Sequence, residues 1–517
     1  MANKSVFAST IGRLLPRAHA TNRAGAPAYA LSPAHALAQL AATGTFNGVF
    51  YAEPREQLEE VLKLAGQLEP SFIAKTAIYA REKAHMKDMP AFLLAFLSTL
   101  ATEDFSRAFS RVVTHGKMLR NFVQIMRSGA VGRKSMGSRP KRMVEAWLAT
   151  ASDAEILRTS IGNDPSLADV IKMVHPKPGS PAREALYAYL IGKPHDAILL
   201  PDIVKAFEAF KADPTLDLPD VPFQMLTALP LTKSHWTAIA KAASWQMLRQ
   251  NLNTFARHGV FEDVDVAEQV ATRLRDAAAI TKARVFPYQL MVAFTSVDKT
   301  VPAVIKDALQ DAMEIALANV PKVKGRVVIC PDVSGSMASP VTGFRKGATS
   351  SVRCIDVAAL VAAAMLRQNT DAVVLPFEQT VIDIDLNARD SVMTNAQKLA
   401  AVGGGGTNCS APLQRILDTK ANVDLVVFVS DNQSWMNERN SQATAMLKLW
   451  EKVKRYNPRA KLVCIDIQPY TTTQASDAAD IMNIGGFSDV AFTSITDFAE
   501  GSAGSDRWIK EIEAIAL

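Results

Sequence analysis

Lys324-Gly-Arg-Val-Val-Ile-Cys-Pro-Asp-Val-Ser-Gly-Ser-Met337 is the segment that best indicates the fold of the second half of this chain. Residues 327–330 form an uninterrupted β-branched apolar run, which is typical of a strand buried on both faces of a sheet. Asp332, Ser334 and Ser336 follow at alternate positions just beyond that strand. One carboxylate and two hydroxyls are hard oxygen ligands of the kind that Mg²⁺ binds. Because Ser and Asp also cap helices and form turns, the short motif alone leaves both interpretations open.

The chain on both sides of this stretch alternates between strand-like and helical patterns. Further apolar runs predict strands at 372–377, 381–384, 425–429 and 462–467. Helical patterns fall between and after them, at 355–366, 410–418, 441–454 and 505–516. This alternation predicts a doubly wound, mostly parallel α/β sheet, and such sheets bind ligands at the carboxyl ends of their strands.

Two more loops of the predicted sheet carry oxygen groups. Thr407 follows the glycine run 403–406, and Asp431 comes just after the strand at 425–429. Together with the first three residues they complete a predicted set of five ligands for a divalent cation, Mg²⁺: Asp332, Ser334, Ser336, Thr407 and Asp431. A nucleotide-binding loop is the alternative for the glycine run, but no Gly-Lys-Ser/Thr follows it.

The first part of the chain is helical in pattern from residue 55 to about residue 319. Leu58, Val61, Leu62 and Ala65 show the spacing of an amphipathic helix, and many further helices follow with short loops between them. Short loops favour helices packed in pairs, and an irregular helical solenoid is the fold we infer. We therefore predict a helical domain over 1–320 and an α/β domain over 321–517.

Charge is concentrated in the helical part. The chain has a net charge of +6, and residues 105–144 contain ten Lys and Arg residues and no acid. Such a segment is typical of a polyanion-binding surface, with a solvated basic face as the alternative.

No apolar run reaches the roughly 20 residues that a membrane-spanning helix requires. The four cysteines form no C-x-x-C pair, and we expect buried thiols in a reducing cytoplasm.

The five predicted ligands resemble the metal-ion-dependent adhesion site of von Willebrand factor A domains. The resemblance implies that Ser334, Ser336 and Thr407 contact the ion, and that Asp332 and Asp431 act directly or through water. It also implies that an acidic group from a partner fills the open coordination position.

Motifs in the helical part resemble the TROVE module of the Ro autoantigen family, whose members bind RNA. The matching pieces are Asn22-Arg-Ala-Gly25 with Tyr29, Gly44-Thr-Phe46, Phe50-Tyr51, Tyr79-Ala-Arg81 with Met89-Pro90, Arg127-Ser-Gly with Gly132-Arg133 and Trp147, His175-Pro-Lys177, Asn251-Leu252, and Ala283-Arg284 with Pro287. They occur in the family's order and are followed by the A domain, so the resemblance covers nearly the whole chain. It implies a ring of HEAT-like helical repeats that the A domain closes.

The same resemblance implies a function in RNA metabolism. Relatives hold single-stranded 3′ ends of misfolded non-coding RNA in the ring and Y RNA on the outer basic surface, and bacterial relatives pair with exoribonucleases. We therefore expect a cytoplasmic protein of RNA quality control, processing or repair, partnered by Y-like or misfolded RNA and by an exoribonuclease or RNA-repair protein. We expect neither a DNA nor a membrane partner.

Eight residues are candidate RNA contacts: Arg127, Arg133, Lys134, Arg139, Lys141, Arg142, His175 and Lys177. The Gly-Arg and His-Pro-Lys residues match family motifs, whereas Lys134, Arg139, Lys141 and Arg142 are chosen on local charge alone. A solvated basic face stays the alternative for each of them, and a helix C-cap is a further alternative for His175.

We expect no catalysis, because no general base or nucleophile pair occurs at a recognisable spacing. The alternative function is a metal-dependent protein-interaction scaffold that works through the ion site, with RNA binding incidental.

Overall fold

The computed structural model of the chain describes residues 15–283, 287–316, 320, 322–344, 352–435, 443–485, 489–502 and 504–517. The motif residue Arg284 and positions 441 and 442 of one predicted helix lie outside these ranges. The described residues form two compact units, one from 15–68, 287–292 and 316–514, and one from 69–283, 293–315 and 515–517. None of the described helices has the length and apolar character that a membrane crossing requires.

The first unit is organised by a parallel five-stranded sheet with strand order β4-β3-β5-β6-β8. The strands of the unit are β1 (Ala20–Thr21), β2 (Pro27–Ala30), β3 (Val327–Pro331), β4 (Val373–Val374), β5 (Leu425–Ser430), β6 (Lys461–Asp466), β7 (Thr472–Thr473) and β8 (Ile481–Gly485). β1, β2 and β7 form a second, antiparallel sheet. Residues of β3 and β5 are buried throughout, as their apolar runs predict for central strands, and the edge strand β8 is buried as well.

Helices cover the parallel sheet. They are Pro33–Thr43, Pro54–Ala65, Cys354–Gln368, Val392–Ala400, Ala411–Asp418, Ala445–Tyr456, Asp489–Glu500 and Arg507–Glu513. Cys354–Gln368 is apolar on nearly every side and packs against β3 and Val392–Ala400, which explains its almost complete burial. All four cysteines are buried free thiols, as predicted. The doubly wound α/β fold expected for this part of the chain is confirmed.

One strand prediction was wrong, and one strand of the parallel sheet was missed. Residues 381–384 form no strand, and Val381 makes a single bridge with Phe377. β8 was missed because Asn483 and Gly485 interrupt its apolar pattern. The Asn483 amide is satisfied inside the protein, where it donates to the carbonyl oxygen of Ala475 at 2.9 Å, and this partner lets a polar residue occupy a buried strand.

The second unit is helical. Its helices are Pro70–Glu82, Asp88–Leu97, Asp104–Val112, Gly116–Ser128, Ser138–Thr150, Asp153–Thr159, Leu167–Val174, Pro181–Leu190, Asp202–Ala212, Phe223–Leu226, Lys233–Ala242, Trp245–Gln250, Leu252–Arg257, Val264–Leu274, Ala277–Ala283 and Ala303–Ala316, with 3₁₀ turns at Ala197–Leu199 and Val260–Glu262. Pro287–Ser296 has residues in both units. Helices pack mainly against others that are close in sequence, which is typical of helical repeats.

Packing assigns the start of the chain differently from the predicted boundary at residue 320. β2 pairs with β7 through Tyr29 and Thr473, and helix Pro33–Thr43 packs against β8. Residues 15–68 therefore belong to the compact unit of the parallel sheet. The division into family domains at residue 320 stays a prediction, while the folding units do not follow the order of the sequence.

Candidate ion site and basic cavity

Asp332 and Asp431 lie at the same edge of the parallel sheet. β3 and β5 pair with Pro331 opposite Val429, so the residues that follow leave the sheet side by side. The Asp332 amide donates to the Val429 carbonyl oxygen at 2.9 Å, and both aspartates are buried. The strand pairing thus brings together two of the five predicted ligands.

The serines are held in a tight turn against these carboxylates. Ser334 donates its backbone N–H to Asp332 Oδ1 at 2.9 Å, and its Oγ lies 3.3 Å from Ser336 Oγ. Ser430 donates its hydroxyl to Asp332 Oδ2 at 2.6 Å. The Ser336 hydroxyl also acts on the Asp431 carboxyl and lowers its pKa, against the larger effect of burial. Four predicted ligands therefore face one another.

The glycine loop places Thr407 next to this cluster. The Gly404 amide donates to the Val333 carbonyl oxygen at 2.8 Å. Gly403 has a φ of +90°, and a Cβ there would lie 2.2 Å from that same oxygen, so only glycine fits. Thr407 is buried, and its carbonyl oxygen accepts the Trp435 amide at 3.2 Å. The loop thereby holds Thr407 between the serine turn and the segment after Asp431.

The surroundings of the two carboxyls disfavour their charged forms. Burial, and then the neighbouring charge of Asp431, raise the pKa of Asp332 to about 7, although hydrogen bonds from Ser334 and Ser430 act in the opposite direction. Burial also raises the pKa of Asp431. Asp431 Oδ2 is buried and has no hydrogen-bond partner among the described residues. A buried acceptor in this state is costly unless something else satisfies it.

These groups fit a divalent cation. A cation among them would offset the repulsion between the carboxylates and would satisfy the unpaired oxygen of Asp431. All five groups offer hard oxygens, which Mg²⁺ and Ca²⁺ prefer, and Mg²⁺ takes six ligands. Asp332, Ser334, Ser336, Thr407 and Asp431 would hold the ion and leave a position for water or a ligand. Binding of an ion here, and its identity as Mg²⁺, stay predictions.

Residues from the start of the chain hold the loop that carries Asp431. Asn22 donates its side-chain amide to the Ser434 carbonyl oxygen at 2.6 Å, and the Arg23 backbone amide donates to Gln433 Oε1 at 2.8 Å. The backbone amide of Gln433 in turn donates to Asp431 Oδ1 at 3.1 Å. The hairpin of β1 and β2 is thus part of the support of the ion site.

Sequence reasoning did not assign Asn22 to this site. It is remote from Asp332 along the chain, and no local pattern connects the two. The one available signal was that Asn22 falls in a motif that resembles the Ro family.

A cavity of about 380 Å³ lies in the basic part of the helical unit. It is lined by Arg127, Lys134, Ser135, Met136, Gly137, Ser138, Lys141, Met173 and Val174. Three of these, Arg127, Lys134 and Lys141, are predicted RNA contacts. Helix Ser138–Thr150 begins in its wall, so the partial positive charge of that helix end adds to theirs.

Two other predicted contacts donate to backbone carbonyl oxygens. Arg139 donates to the carbonyl oxygens of Thr102 at 2.5 Å and Leu100 at 2.6 Å. Arg133 donates to the carbonyl oxygen of Ser98 at 3.0 Å. These carbonyls lie in the segment that connects helices Asp88–Leu97 and Asp104–Val112, where no helical hydrogen bonds satisfy them. Both arginines therefore stabilise the helical unit itself, and their contact with RNA stays a prediction.

The remaining candidates lie outside the cavity lining. His175 has a left-handed φ of 52° and donates its backbone amide to the Ile171 carbonyl oxygen at 2.9 Å, so it is the C-cap of helix Leu167–Val174. Its side chain is exposed, as are those of Arg142 and Lys177. The cap alternative for His175 is realised, and its exposure leaves a role in RNA binding open to experiment.

Two family models match this chain. The one described as the Ro60 vWA domain matches residues 326–499, and the one described as the TROVE domain matches residues 220–379. The TROVE match begins after the basic segment 105–144. The assignment of that segment to a TROVE module therefore stays a prediction.

Curated relatives and a solved structure resemble the chain over most of its length. RNA-binding protein RO60 of Deinococcus radiodurans is 24% identical over 93% of this chain and 95% of its own length. RNA-binding protein RO60 of Caenorhabditis elegans is 21% identical over 45% of this chain and 37% of its own. The crystal structure of the Deinococcus radiodurans Ro (Rsr) protein has a TM-score of 0.61 at 22% identity, covering 91% of this chain and all of that one. At that identity, the structural match shows the fold alone.

Proposed function

We propose that this chain, which carries the TROVE and von Willebrand factor A domains of the Ro family, is a non-catalytic RNA-binding protein. The observation that carries the proposal is the cavity lined by Arg127, Lys134 and Lys141. The two curated relatives, both named RNA-binding proteins, support it.

The cavity has the chemistry of a phosphate site. Three cations and the start of helix Ser138–Thr150 concentrate positive potential in one place. Lys and Arg neutralise phosphates largely without regard to base sequence. Met136 and Met173 add adaptable apolar surface for a sugar or a base. We expect recognition of the RNA backbone that depends strongly on salt and weakly on sequence.

The finer form of the proposal follows the family resemblance. The helical ring holds single-stranded 3′ ends of misfolded non-coding RNA, and Y-like RNA binds the outer basic surface. A hole that admits a single strand but excludes a duplex selects unfolded RNA by shape. The protein then acts in RNA quality control, processing or repair, with an exoribonuclease or RNA-repair protein as its partner.

Gel-shift titrations of the full chain test the RNA-binding proposal. The probe is a structured RNA with a single-stranded 3′ tail, titrated between about 50 and 200 mM salt. We expect R127E/K134E/K141E to bind about 100-fold more weakly. The slope of log affinity against log salt should also fall by about 2–3, because roughly one counterion is released per phosphate contact.

A matched control separates the cavity from overall charge. K193E/K205E/K241E makes the same change in charge at exposed lysines of the helical unit outside the cavity. We expect it to retain most of the affinity. Equal losses of RNA affinity in the two triple variants would contradict the assignment of the cavity.

RNA that is shortened on incubation with Mg²⁺ and wild-type protein, but left intact with D431A, would contradict the non-catalytic proposal.

A second function, as a metal-dependent protein-interaction scaffold, is favoured by the unpaired, buried Asp431 Oδ2. In this proposal Mg²⁺ occupies the five-residue site and an acidic group of a protein partner completes its coordination. Recovery of a protein partner by wild type but not by D431A, with RNA affinity unchanged, would support it. Partner recovery that is insensitive to both D431A and chelator would exclude it.

A further inference from the structure

We propose that Arg120 binds a phosphate of the RNA strand whose other phosphates occupy the basic cavity, so that the strand continues from the cavity along helix Gly116–Ser128. The inference rests on the proposed RNA-binding function and extends it to a residue outside the eight candidate contacts. Arg120 is not part of the cavity lining, and its helix lies before the range that the TROVE model matches.

Helix Gly116–Ser128 and the segment 153–174 lie side by side. Three contacts join them in the same order along both segments, and the pairs are Gly116 with Glu155, Arg120 with Gly162, and Arg127 with Met173. In the first and the last contact, the donor and acceptor atoms are 2.9 Å and 2.7 Å apart. We call the line of these three contacts the seam. Because Arg127 and Met173 also line the cavity, the seam leads directly into it.

The Arg120 guanidinium lies at the middle of the seam. A Cβ added to Gly162 would be 2.7 Å from Arg120 Nη2, so the guanidinium packs directly on the backbone there. Arg120 Nε and Nη1 are buried and have no hydrogen-bond partner among the described residues. Buried donors in this state are costly unless an acceptor reaches them.

An external anion can reach these donors. Arg120 as a whole is partly exposed, and rotation about its outer side-chain torsions brings the guanidinium to the surface without moving the backbone. A guanidinium presents its N–H donors in a planar fork that matches the oxygens of a phosphate. Arg120 therefore has both the access and the donor geometry that a phosphate contact requires.

Acidic groups along the seam do not neutralise Arg120. Glu155 accepts a backbone amide at 2.9 Å, and Asp169 accepts a serine hydroxyl at 2.6 Å. Asp164 is exposed. Burial lowers the pKa of Arg120, and no acid in the described part of the chain offsets this effect. The positive charge of Arg120 is thus left for a ligand.

The spacing of the cations favours a strand with several phosphates. Lys117, Arg120, Gln124 and Arg127 follow one another at the three- and four-residue intervals that place side chains on one face of a helix. Arg127 comes seven positions after Arg120, which is about 10 Å along the helix axis. One phosphate cannot contact both arginines, whereas an RNA strand that leaves the cavity along the seam can.

The test compares the full-length wild type with R120Q, using two oligonucleotides. The dinucleotide UpU has a single phosphodiester, and ligand-observed NMR measures its affinity. Fluorescence anisotropy of labelled dodecauridylate, between about 50 and 200 mM salt, measures the affinity of a strand that can follow the seam.

The two oligonucleotides should respond differently to R120Q. We expect its affinity for dodecauridylate to fall about 10-fold, because a hydrogen bond to a charged group is lost. The slope of log affinity against log salt should fall by about 1, the value for one phosphate contact. UpU should bind R120Q like wild type but should not bind R127E/K134E/K141E, because its one phosphate occupies the cavity.

Thermal stability separates RNA binding from a structural role of Arg120. R120Q should unfold at the same or a higher temperature than wild type, because it removes a charged group whose buried donors are unsatisfied. An arginine that served only the fold would give a lower Tm when replaced. R120K keeps the charge without the planar fork, and we expect it to recover the salt slope of wild type but only part of its affinity.

R257Q is the matched control, since it makes the same change in charge. Arg257 is exposed at the end of helix Leu252–Arg257, which packs against Lys233–Ala242 and Val260–Glu262, and it does not line the cavity. We expect R257Q to bind both oligonucleotides like wild type.

Three results would overturn the assignment of Arg120 alone. They are a dodecauridylate affinity unchanged in R120Q, equal losses in R120Q and R257Q, and a lower Tm of R120Q together with equal losses of UpU and dodecauridylate affinity. A wild-type chain that binds neither oligonucleotide would overturn the RNA-binding proposal itself, and the role of Arg120 with it.

Discussion

The ion site and the basic cavity are built in opposite ways. The ion site consists of short, buried oxygen groups at the ends of paired strands, and most of them are fixed by hydrogen bonds of 2.6–3.1 Å. The cavity is lined by long cationic side chains on helices and loops. A cation bound at the predicted site would depend on each of a few buried groups, whereas the cavity spreads its positive charge over several side chains. Loss of one residue should therefore be severe in the first region and graded in the second.

Removing one ligand carboxylate should give the largest effect. We expect D431A to weaken Mg²⁺ binding by about 100-fold or more, because even residues that merely support metal ligands contribute 10–100-fold to affinity. Calorimetric titration of the full chain measures this. D371A, at an exposed aspartate before β4, is the control and should bind Mg²⁺ like wild type. Similar Mg²⁺ affinities in wild type, D431A and D371A would mean that Asp431 does not bind the ion.

In the basic region the largest stability effect should come from an arginine outside the cavity lining. We expect R139A to lower the free energy of unfolding by about 2–3 kcal/mol, because two carbonyl oxygens lose charged donors. R142A, at an exposed arginine on the same helix, should change it by less than about 0.5 kcal/mol. Urea denaturation followed by circular dichroism compares the two. Equal losses of stability in R139A and R142A would mean that the hydrogen bonds of Arg139 to carbonyl oxygens do not stabilise the helical unit.

The pH dependence of stability should distinguish the ion site from the cavity. The pKa of Asp332 is raised to about 7, above its unfolded value, so the folded protein binds an extra proton between these values. Without metal, this group's contribution to stability is therefore lost as pH rises toward 7. Mg²⁺ needs the charged carboxylate, so the increase in Tm on adding Mg²⁺ should be larger at pH 8 than at pH 5, by about 3 °C.

Asp332→Asn provides the check on this pH dependence. It should raise the Tm of the metal-free protein near pH 8, because an amide replaces a buried charge, and should abolish the response to Mg²⁺. A Mg²⁺ response that is equal at both pH values would contradict the role given to Asp332.

The smallest effect should come from the support of the ion site at the start of the chain. N22A removes the donor to the Ser434 carbonyl oxygen, and we expect a loss of about 1 kcal/mol in stability and a few-fold loss in Mg²⁺ affinity. R23A is its control, because Arg23 contacts Gln433 through the backbone amide, which the substitution keeps. Thermal melts with and without Mg²⁺ compare them, and identical behaviour would show that the hairpin does not tune the site.

The sequence predicted the parallel sheet because it follows from local pattern. Strand runs and the oxygen residues just after them can be recognised within a few positions, and parallel pairing then brings the loops to one edge. β8 was not predicted because Asn483 interrupts the apolar pattern. The burial of Asn483 depends on hydrogen bonds to Ala475 and Asp477, which lie outside the strand. Residues 381–384 had the right composition for a strand but lie where the chain makes a single bridge.

Two features could not be predicted from local pattern. They are the residues that support the site, and the difference between cations that line the cavity and cations that bind carbonyl oxygens. Asn22 reaches the loop after Asp431 through long-range packing, for which a single sequence contains no local signal. Charge alone cannot separate Arg139, which binds helix-end carbonyls, from Lys134, which lines the cavity. That distinction depends on which carbonyls the surrounding helices leave unpaired.

The pairing of β2 with β7 makes the α/β domain discontinuous in sequence, with most of the helical unit inserted between its first piece and its strands. During synthesis, helices within 69–283 can pack as they emerge, since their contacts are mainly local. β2 is made before them but has to wait for Thr472 and Thr473, so it stays an unpaired strand edge throughout that interval. The support that this hairpin gives to the predicted ion site is thereby tied to synthesis of nearly the whole chain.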